Sequence, residues 1–234
     1  MDVHPVNRVL VQEDIVPRAV VWIQAVVERA VAQRGVAHVA LCGGSTPAPV
    51  YAALAGRLDW TNVHLYFGDE RCVPPDDPDS TYRLVRESLL DLLTASAPTV
   101  HRMKGEEPDR AGAAAAYAAL LPEQLDLAIQ GMGGDGHTAS LFPGSAAMAE
   151  RERRVVHVPD SPKPPSDRLT LTVPTLESAR ELLVLARGAD KEQAVARALT
   201  GPLDLDACPA QLCRAGTWFL DPAAAAALDL ETVD

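Results

Sequence analysis

Asp135 and His137 stand two residues apart inside a run of glycines, Gly131-Met132-Gly133-Gly134-Asp135-Gly136-His137. An imidazole titrates at about 6.5, so near neutral pH it can take a proton and return it. The glycines let the backbone adopt positive φ and come close to a ligand. Thr138 and Ser140 follow, and Pro143 and Gly144 close the segment. A lone histidine is more often a structural residue; this one sits among glycines beside a carboxylate. Metal binding is disfavoured here, because no second histidine lies within a few residues and the pattern is only Asp-x-His. No G-x-S-x-G elbow exists, so an acyl-enzyme of the serine-hydrolase kind is excluded and hydrolysis would require water activated by a base. Gly131, Gly133 and Gly136 have the spacing of a dinucleotide fingerprint. Pro143 and Gly144 interrupt the helix that fingerprint needs, which leaves a nicotinamide oxidoreductase as the weaker alternative.

Two other stretches carry polar groups in comparable positions. Cys42-Gly43-Gly44-Ser45-Thr46-Pro47 joins an apolar run to a helical one. Free N–H groups and a helix N-terminus at such a junction favour an anion, and Ser45 and Thr46 add hydroxyls. No lysine follows, so this is not a nucleotide P-loop. The plain alternative is a tight strand-to-helix turn. Gly68-Asp69-Glu70-Arg71 follows another apolar run and places three charges at its end. A solvated loop is the usual fate of such a cluster, and the acidic residues Asp76, Asp77 and Asp79 fit that fate. Lys191 lies in the first turn of a helical segment, against the dipole preference, which makes sense where an anion binds. Arg168 begins a further apolar run.

The elements that must position these groups alternate along the chain. Strands are expected at 8–11, 36–41, 63–67, 125–129, 155–158, 169–173, 181–186 and 217–220, with a minor one at 100–103. Helices are expected from Asp14 to Gly35, at 47–57, from Ser80 to about Leu93, at 108–121, from Gly188 to about Leu199, and in the alanine-rich end at 223–227. This order implies an α/β fold: a mainly parallel sheet covered by helices on both faces, a Rossmann-like three-layer sandwich. In such a sheet ligands bind outside the carboxyl ends of the strands. The loops at 43–46, 68–71 and 131–137 then meet on one edge.

The chain has 234 residues, 47% of them hydrophobic, with no low-complexity linker and no repeat. Residues 1–234 are therefore expected to form a single domain, the Pro-rich stretch 159–165 being short enough for a loop. A net charge of −11 argues against nucleic acid or an anionic membrane as the main partner. An anionic ligand would need a few local Arg and Lys residues to overcome that field. Four cysteines show neither a C-x-x-C pair nor zinc spacing. No signal peptide precedes Val9 and no apolar run approaches the roughly 20 residues of a membrane span. A reducing cytoplasm fits these features. Oligomeric state is not legible, and a monomer is compatible with everything above.

Five stretches together resemble one family. GGSTP at 43–47, FGDER at 67–71, GMGGDGHTASLFPG at 131–144, PKPPSDRLTLT at 162–172 and GADK at 188–191 are similar, in order and over most of the chain, to the 6-phosphogluconolactonase family. The resemblance implies the fold type shared with glucosamine-6-phosphate deaminases, and hydrolysis of 6-phosphoglucono-δ-lactone to 6-phosphogluconate without metal or organic cofactor. It implies His137 as general base, with Asp69 or Asp135 orienting the imidazole or the sugar hydroxyls. N–H groups of the 133–136 turn, or Arg71, would stabilise the oxyanion. The phosphate would rest on Gly43, Gly44 and Ser45 with Arg168 and Lys191, or on Arg71 instead. In the deaminase branch the family pattern places an acidic residue, within N-E-P, before the closing proline. Leu141 and Phe142 occupy those two positions here, which favours the lactonase. A non-catalytic sugar-phosphate-binding regulator is a further alternative; no basic or DNA-binding segment supports it.

Overall fold

The computed structural model describes residues 8–228. Its strands and helices alternate: β1 (Arg8–Val11), α1 (Val16–Arg34), β2 (Ala37–Leu41), α2 (Ala48–Leu54), β3 (Val63–Phe67), β4 (Asp69–Arg71), α3 (Thr81–Ser88), β5 (Thr99–Val100) and α4 (Arg110–Ala118). They continue through β6 (Leu127–Gln130), β7 (Val155–Val158), β8 (Arg168–Leu171), α5 (Val173–Glu177), β9 (Leu182–Ala186), α6 (Glu192–Leu199) and β10 (Thr217–Leu220). Seven strands form one sheet in the order β1-β10-β9-β6-β2-β3-β5. Every pair in it is parallel. The expectation of a parallel α/β sheet holds.

The strand order locates the switch point. From β2 the chain moves outward through β3 to β5, and from β6 it moves the other way through β9 to β10. Right-handed crossovers then put α1, α2 and α3 on one face and α4, α5 and α6 on the other. With helices on both sides, the central strands are apolar throughout: β6 and β10 are buried at every position. β2 and β6 are neighbours that leave the sheet's midline in opposite directions, so the crevice beyond their carboxyl ends is open to a ligand.

Four features differ from the sequence expectation. Residues 69–71 are strand β4, not a loop, and pair antiparallel with β8, which pairs in turn with β7. This second, three-stranded sheet begins where the first ends. Gly68 N–H donates to Leu41 O at 2.8 Å, extending the β3–β2 ladder, while Gly68 O accepts from Leu171 N–H at 2.8 Å and opens the new one. The alanines at 223–227 form turns, not a helix. Ala225 N–H reaches Asp221 O, but Leu228 N–H already bonds three residues back to Ala225 O. So short a run cannot propagate past the nucleation cost, whatever its propensity. The helix expected at 47–57 is also shorter, and the one expected to Leu93 breaks after Ser88 into a 3₁₀ turn at Leu90–Leu92.

Helix ends follow the expected chemistry. Asp14 accepts from Val16 N–H at 3.0 Å, Gly35 closes α1 at φ +78°, and Ser80 Oγ caps α3 by accepting from Arg83 N–H. Buried Glu70 reinforces that last cap, accepting from the N–H groups of Thr81 and Tyr82 at 2.7 and 2.8 Å.

His38 on β2, His64 on β3 and His101 just past β5 form a cluster. His64 Nδ1 lies 3.1 Å from His101 Nε2, and His38 Nδ1 lies 3.2 Å from Tyr66 Oη. Burial lowers the pKa of both His38 and His101, and neighbouring His64 lowers both further. Groups depressed in the fold contribute stability above their unfolded value of about 6.5 and lose it as pH falls through the folded value. The urea midpoint should therefore drop between about pH 7.5 and about pH 5.5. His101→Gln should make that drop shallower; an equal drop in the variant would remove the cluster as its cause.

Candidate active site

The crevice at the switch point is a cleft of about 230 Å³. Three loops predicted to share an edge do so: Gly43, Gly44 and Ser45 after β2, Asp69 and Arg71 beyond β3, and Gly131, Gly133 and His137 after β6 all line it. Arg168 and Lys191 line it too. Sequence reasoning did not single out Lys163 as a site residue, although it lay in the quoted PKPP stretch; its side chain forms part of the wall. Among the described residues, four cationic ones, Arg71, Lys163, Arg168 and Lys191, therefore face this space against one lining carboxylate, Asp69. That local excess of positive charge is what an anionic ligand needs on a chain of net charge −11.

His137 is held by the turn that carries it. Its Nδ1 lies 2.6 Å from Asp135 Oδ1, and its backbone N–H donates to the same oxygen at 3.2 Å. With Nδ1–H donated to the carboxylate, Nε2 keeps the lone pair. The turn must be glycine-rich for this. A Cβ on Gly133 would sit 2.1 Å from His137 Nδ1, and Gly136 has φ +92°. Phe142 packs on the imidazole, with ring centroids 4.6 Å apart. Burial lowers the His137 pKa, and the Asp135 contact offsets this only in part. The ring is thus neutral at pH 7 and able to accept a proton. Burial disfavours the Asp135 charge, but the His137 hydrogen bond and the nearby Lys163 ammonium outweigh it and hold the carboxyl at about 2. Lys163 Nζ lies 3.3 Å from Asp135 Oδ2.

The two aspartates separate into different jobs. Asp135 contacts the imidazole; Asp69 does not. Asp69 Oδ2 accepts from Ser140 Oγ at 2.7 Å and lies 3.9 Å from Arg168 Nη1, with both charged side chains nearly fully buried. Arg168 spends its other donors on carbonyls of the Pro-rich loop: Nε on Pro165 O at 2.9 Å, Nη2 on Lys163 O and Pro164 O at 3.2 Å. Its charge faces the cleft while its hydrogen bonds hold the loop bearing Lys163. Thr138 Oγ1 donates to Gly131 O at 2.8 Å and is internal to the turn.

Among donors for a developing oxyanion, Gly133 N–H and Gly136 N–H are already engaged, with His137 O and Gly133 O. Arg71 Nη1 donates to Asp79 O, while its buried Nε has no partner among the described residues. Glu70, third of the predicted charges, faces away and caps α3. Lys191 ends a 3₁₀ turn and immediately precedes α6, with Nζ 2.8 Å from Asp190 Oδ2.

A parallel α/β sheet here carries at its switch point a crevice lined by cations and a histidine bonded to a carboxylate, an arrangement chemically able to hold an anion beside a proton acceptor. The sequence pattern of the family described as Glucosamine-6-phosphate isomerases/6-phosphogluconolactonase matches residues 11–220, and the chain belongs to that family. A 6-phosphogluconolactonase of Streptomyces coelicolor is 40% identical over 220 residues, 84% of each chain. The crystal structure of a 6-phosphogluconolactonase from Thermotoga maritima superposes with a TM-score of 0.82 at 29% identity, covering 92% of this chain and 99% of that one. A monomeric glucosamine-6-phosphate deaminase shares the fold, with a TM-score of 0.78 at 21% identity, 94% of this chain and 100% of that one being covered. Where the deaminase pattern expects its acidic residue, Leu141 and Phe142 are buried and apolar.

Because Arg168 and Asp69 are both buried, removing one leaves the other uncompensated. Arg168→Ala should lower the unfolding free energy by about 3–5 kcal/mol, read from urea titration. Adding Asp69→Asn should restore part of it; strict additivity would show that the two charges do not interact.

Proposed function

We propose that this protein hydrolyses 6-phosphoglucono-δ-lactone to 6-phosphogluconate. The observation that carries the reading is the His137–Asp135 pair, with His137 lining a cleft walled by four cationic side chains. A phosphorylated lactone combines an anion to be held with an ester carbonyl to be attacked. The family and the names of the relatives agree with this substrate.

In this reading His137 Nε2 takes a proton from water as the water oxygen attacks the lactone carbonyl. The tetrahedral oxyanion is stabilised by Arg71, whose buried Nε lacks a partner among the described residues. Collapse breaks the bond to the ring oxygen, which receives the proton from the imidazolium. Asp135 keeps the imidazole oriented and stabilises its charged form. The phosphate sits on Gly43, Gly44 and Ser45 with Lys191, and Arg168 adds its charge from behind. No step calls on a metal or organic cofactor. Buried Phe142 and Leu141 leave no carboxylate where the deaminase pattern places one, so sugar isomerisation is disfavoured.

The same reading takes residues 1–234 as one domain, since the buried apolar residues of the described part, Phe142 excepted, form one cluster. It places the protein in the cytoplasm: the four cysteines are free, and no helix among the described residues is long and apolar enough to cross a membrane.

A lactone-opening assay with spontaneous hydrolysis subtracted tests the activity itself. His137→Asn should retain ligand binding and lower kcat by about 10²- to 10⁴-fold, the usual share of general-base catalysis. Turnover within about threefold of the parent would make His137 structural and send the search for the base elsewhere.

The acid limb of kcat/KM should fall below about pH 6.5, because the His137 pKa is lowered in the fold and protonated imidazole cannot accept a proton. The ligand phosphate titrates near 6 and overlaps it. Lys191→Ala weakens the phosphate interaction and should leave the His137 limb in place.

That variant should also bind 6-phosphogluconate about tenfold more weakly in calorimetry, the low end for a charge-assisted contact on a partly exposed side chain. Unchanged affinity would move the phosphate to another part of the cleft.

A further inference from the structure

The small antiparallel sheet has two faces, and only one belongs to the cleft. Alternation along β4 and β8 puts Asp69, Arg71, Arg168 and Thr170 on the cleft side and Glu70, Cys72, Asp167 and Leu169 on the back. The ladder fixes this arrangement. Arg71 pairs with Arg168, and one step further Cys72 N–H donates to Asp167 O at 2.9 Å, so Cys72 and Asp167 face each other across two strands. On β7, His157 is opposite Leu169 and therefore lies on the same back face, diagonal to Asp167. A thiol sulfur just past β4, an imidazole nitrogen on β7 and a carboxylate oxygen just before β8 thus converge, all within 4.8 Å of one another. None of the three residues lines the cleft.

We infer that Cys72, His157 and Asp167 form a binding site for a borderline-soft divalent transition-metal ion of the zinc class, its fourth position taken by water. Tetrahedral bonds of about 2.3 Å to sulfur and about 2.0–2.2 Å to nitrogen and oxygen put such donors roughly 3.3–3.7 Å apart. The three donor atoms already lie inside 4.8 Å of one another, close to that spacing. The ion replaces the hydrogen bond that now joins His157 Nε2 to Asp167 Oδ1.

The surroundings fit an outer shell. Arg110, on α4, donates Nε–H to Asp167 Oδ2 at 3.0 Å, which orients the carboxylate and leaves Oδ1 for the ion. Bonds from His157 and Arg110 overcome burial and keep Asp167 ionised. One thiolate and one carboxylate neutralise a dication, and the sulfur selects against magnesium and calcium, which prefer oxygen alone. Burial, followed by the Asp167 charge, pushes the Cys72 thiol up to about 12, so it is a poor nucleophile by itself; a bound dication displaces the proton. All three side chains are half-buried, which leaves a route from solvent.

The site has a consequence for the cleft that does not depend on the reaction proposed there. Cys72 adjoins Arg71 and Asp167 adjoins Arg168, so an ion would pin β4, β7 and β8 together directly behind both arginines.

The test uses full-length protein stripped with a chelator and titrated with Co²⁺ alone. The parent should show a thiolate-to-cobalt charge-transfer band with the visible bands of tetrahedral cobalt, and Zn²⁺ should displace it. Cys72→Ser should abolish the charge-transfer band, and His157→Gln should weaken Zn²⁺ by at least about 10- to 100-fold, the loss seen even for an outer-shell partner. Cys42→Ser, which alters the cysteine lining the cleft, should keep the band. No thiolate band in the parent, or a band that survives Cys72→Ser, overturns the site. Should Cys72→Ser fail to fold, parental Zn²⁺ affinity in His157→Gln overturns it equally.

Discussion

Ser140 Oγ donates to Asp69 Oδ2 at 2.7 Å, and Arg168 Nη1 stands 3.9 Å from the same oxygen. These three residues come from the turn after β6, from β4 and from β8, which makes this small buried group the joint between the two sheets. A buried carboxylate must be compensated, and here the compensation comes from two other segments at once. Arg168 extends the joint by holding three carbonyls of the loop that carries Lys163. The floor and one wall of the cleft are therefore fixed by electrostatic necessity, not by loop sequence alone.

Gly68 shows how the chain reaches that joint. It is the last residue hydrogen-bonded to the parallel sheet and the first bonded to the antiparallel one. Five residues of apolar strand thus pass directly into three charged ones without a loop between. The charges split by alternation: Asp69 and Arg71 turn to the cleft, while Glu70 turns to the N-terminus of α3 and holds it with two backbone bonds. The same alternation sets Cys72 behind Arg71, so the back of the sheet is chemically coupled to its front.

The site concentrates constraint in one turn. Gly133 leaves room for the imidazole, Gly136 supplies the positive φ, and Asp135 bonds both the ring and the backbone of His137. Phe142 packs against the imidazole, its ring tilted to it with centroids 4.6 Å apart. The histidine is thereby desolvated enough to be neutral, yet steered by a carboxylate that stays ionised. That pairing serves proton transfer near pH 7 better than an exposed, freely rotating histidine would.

The sequence by itself determined the parallel α/β architecture, because strand and helix periods alternate along the chain and each strand is apolar enough to be covered on both faces. Strand direction in turn determined that the loops after β2, β3 and β6 share an edge, so the cleft residues on those three loops were legible as a set, while Lys163 on the Pro-rich loop was not. Sequence could not choose between Asp69 and Asp135 as the partner of His137: both are short carboxylates after a strand, and only the fold shows one bonded to the ring and the other spent on Ser140 and Arg168. It could not reveal that residues 69–71 continue as a strand, because the partner of β4 lies nearly a hundred residues further along the chain, at Arg168–Leu171. It read the terminal alanines as helix from intrinsic propensity, which a run ending in turns does not obey. The convergence of Cys72, His157 and Asp167 was equally invisible. Ligand spacing along a chain detects sites built on one turn or hairpin, whereas these three residues meet only through the register of three strands, which tertiary structure alone decides.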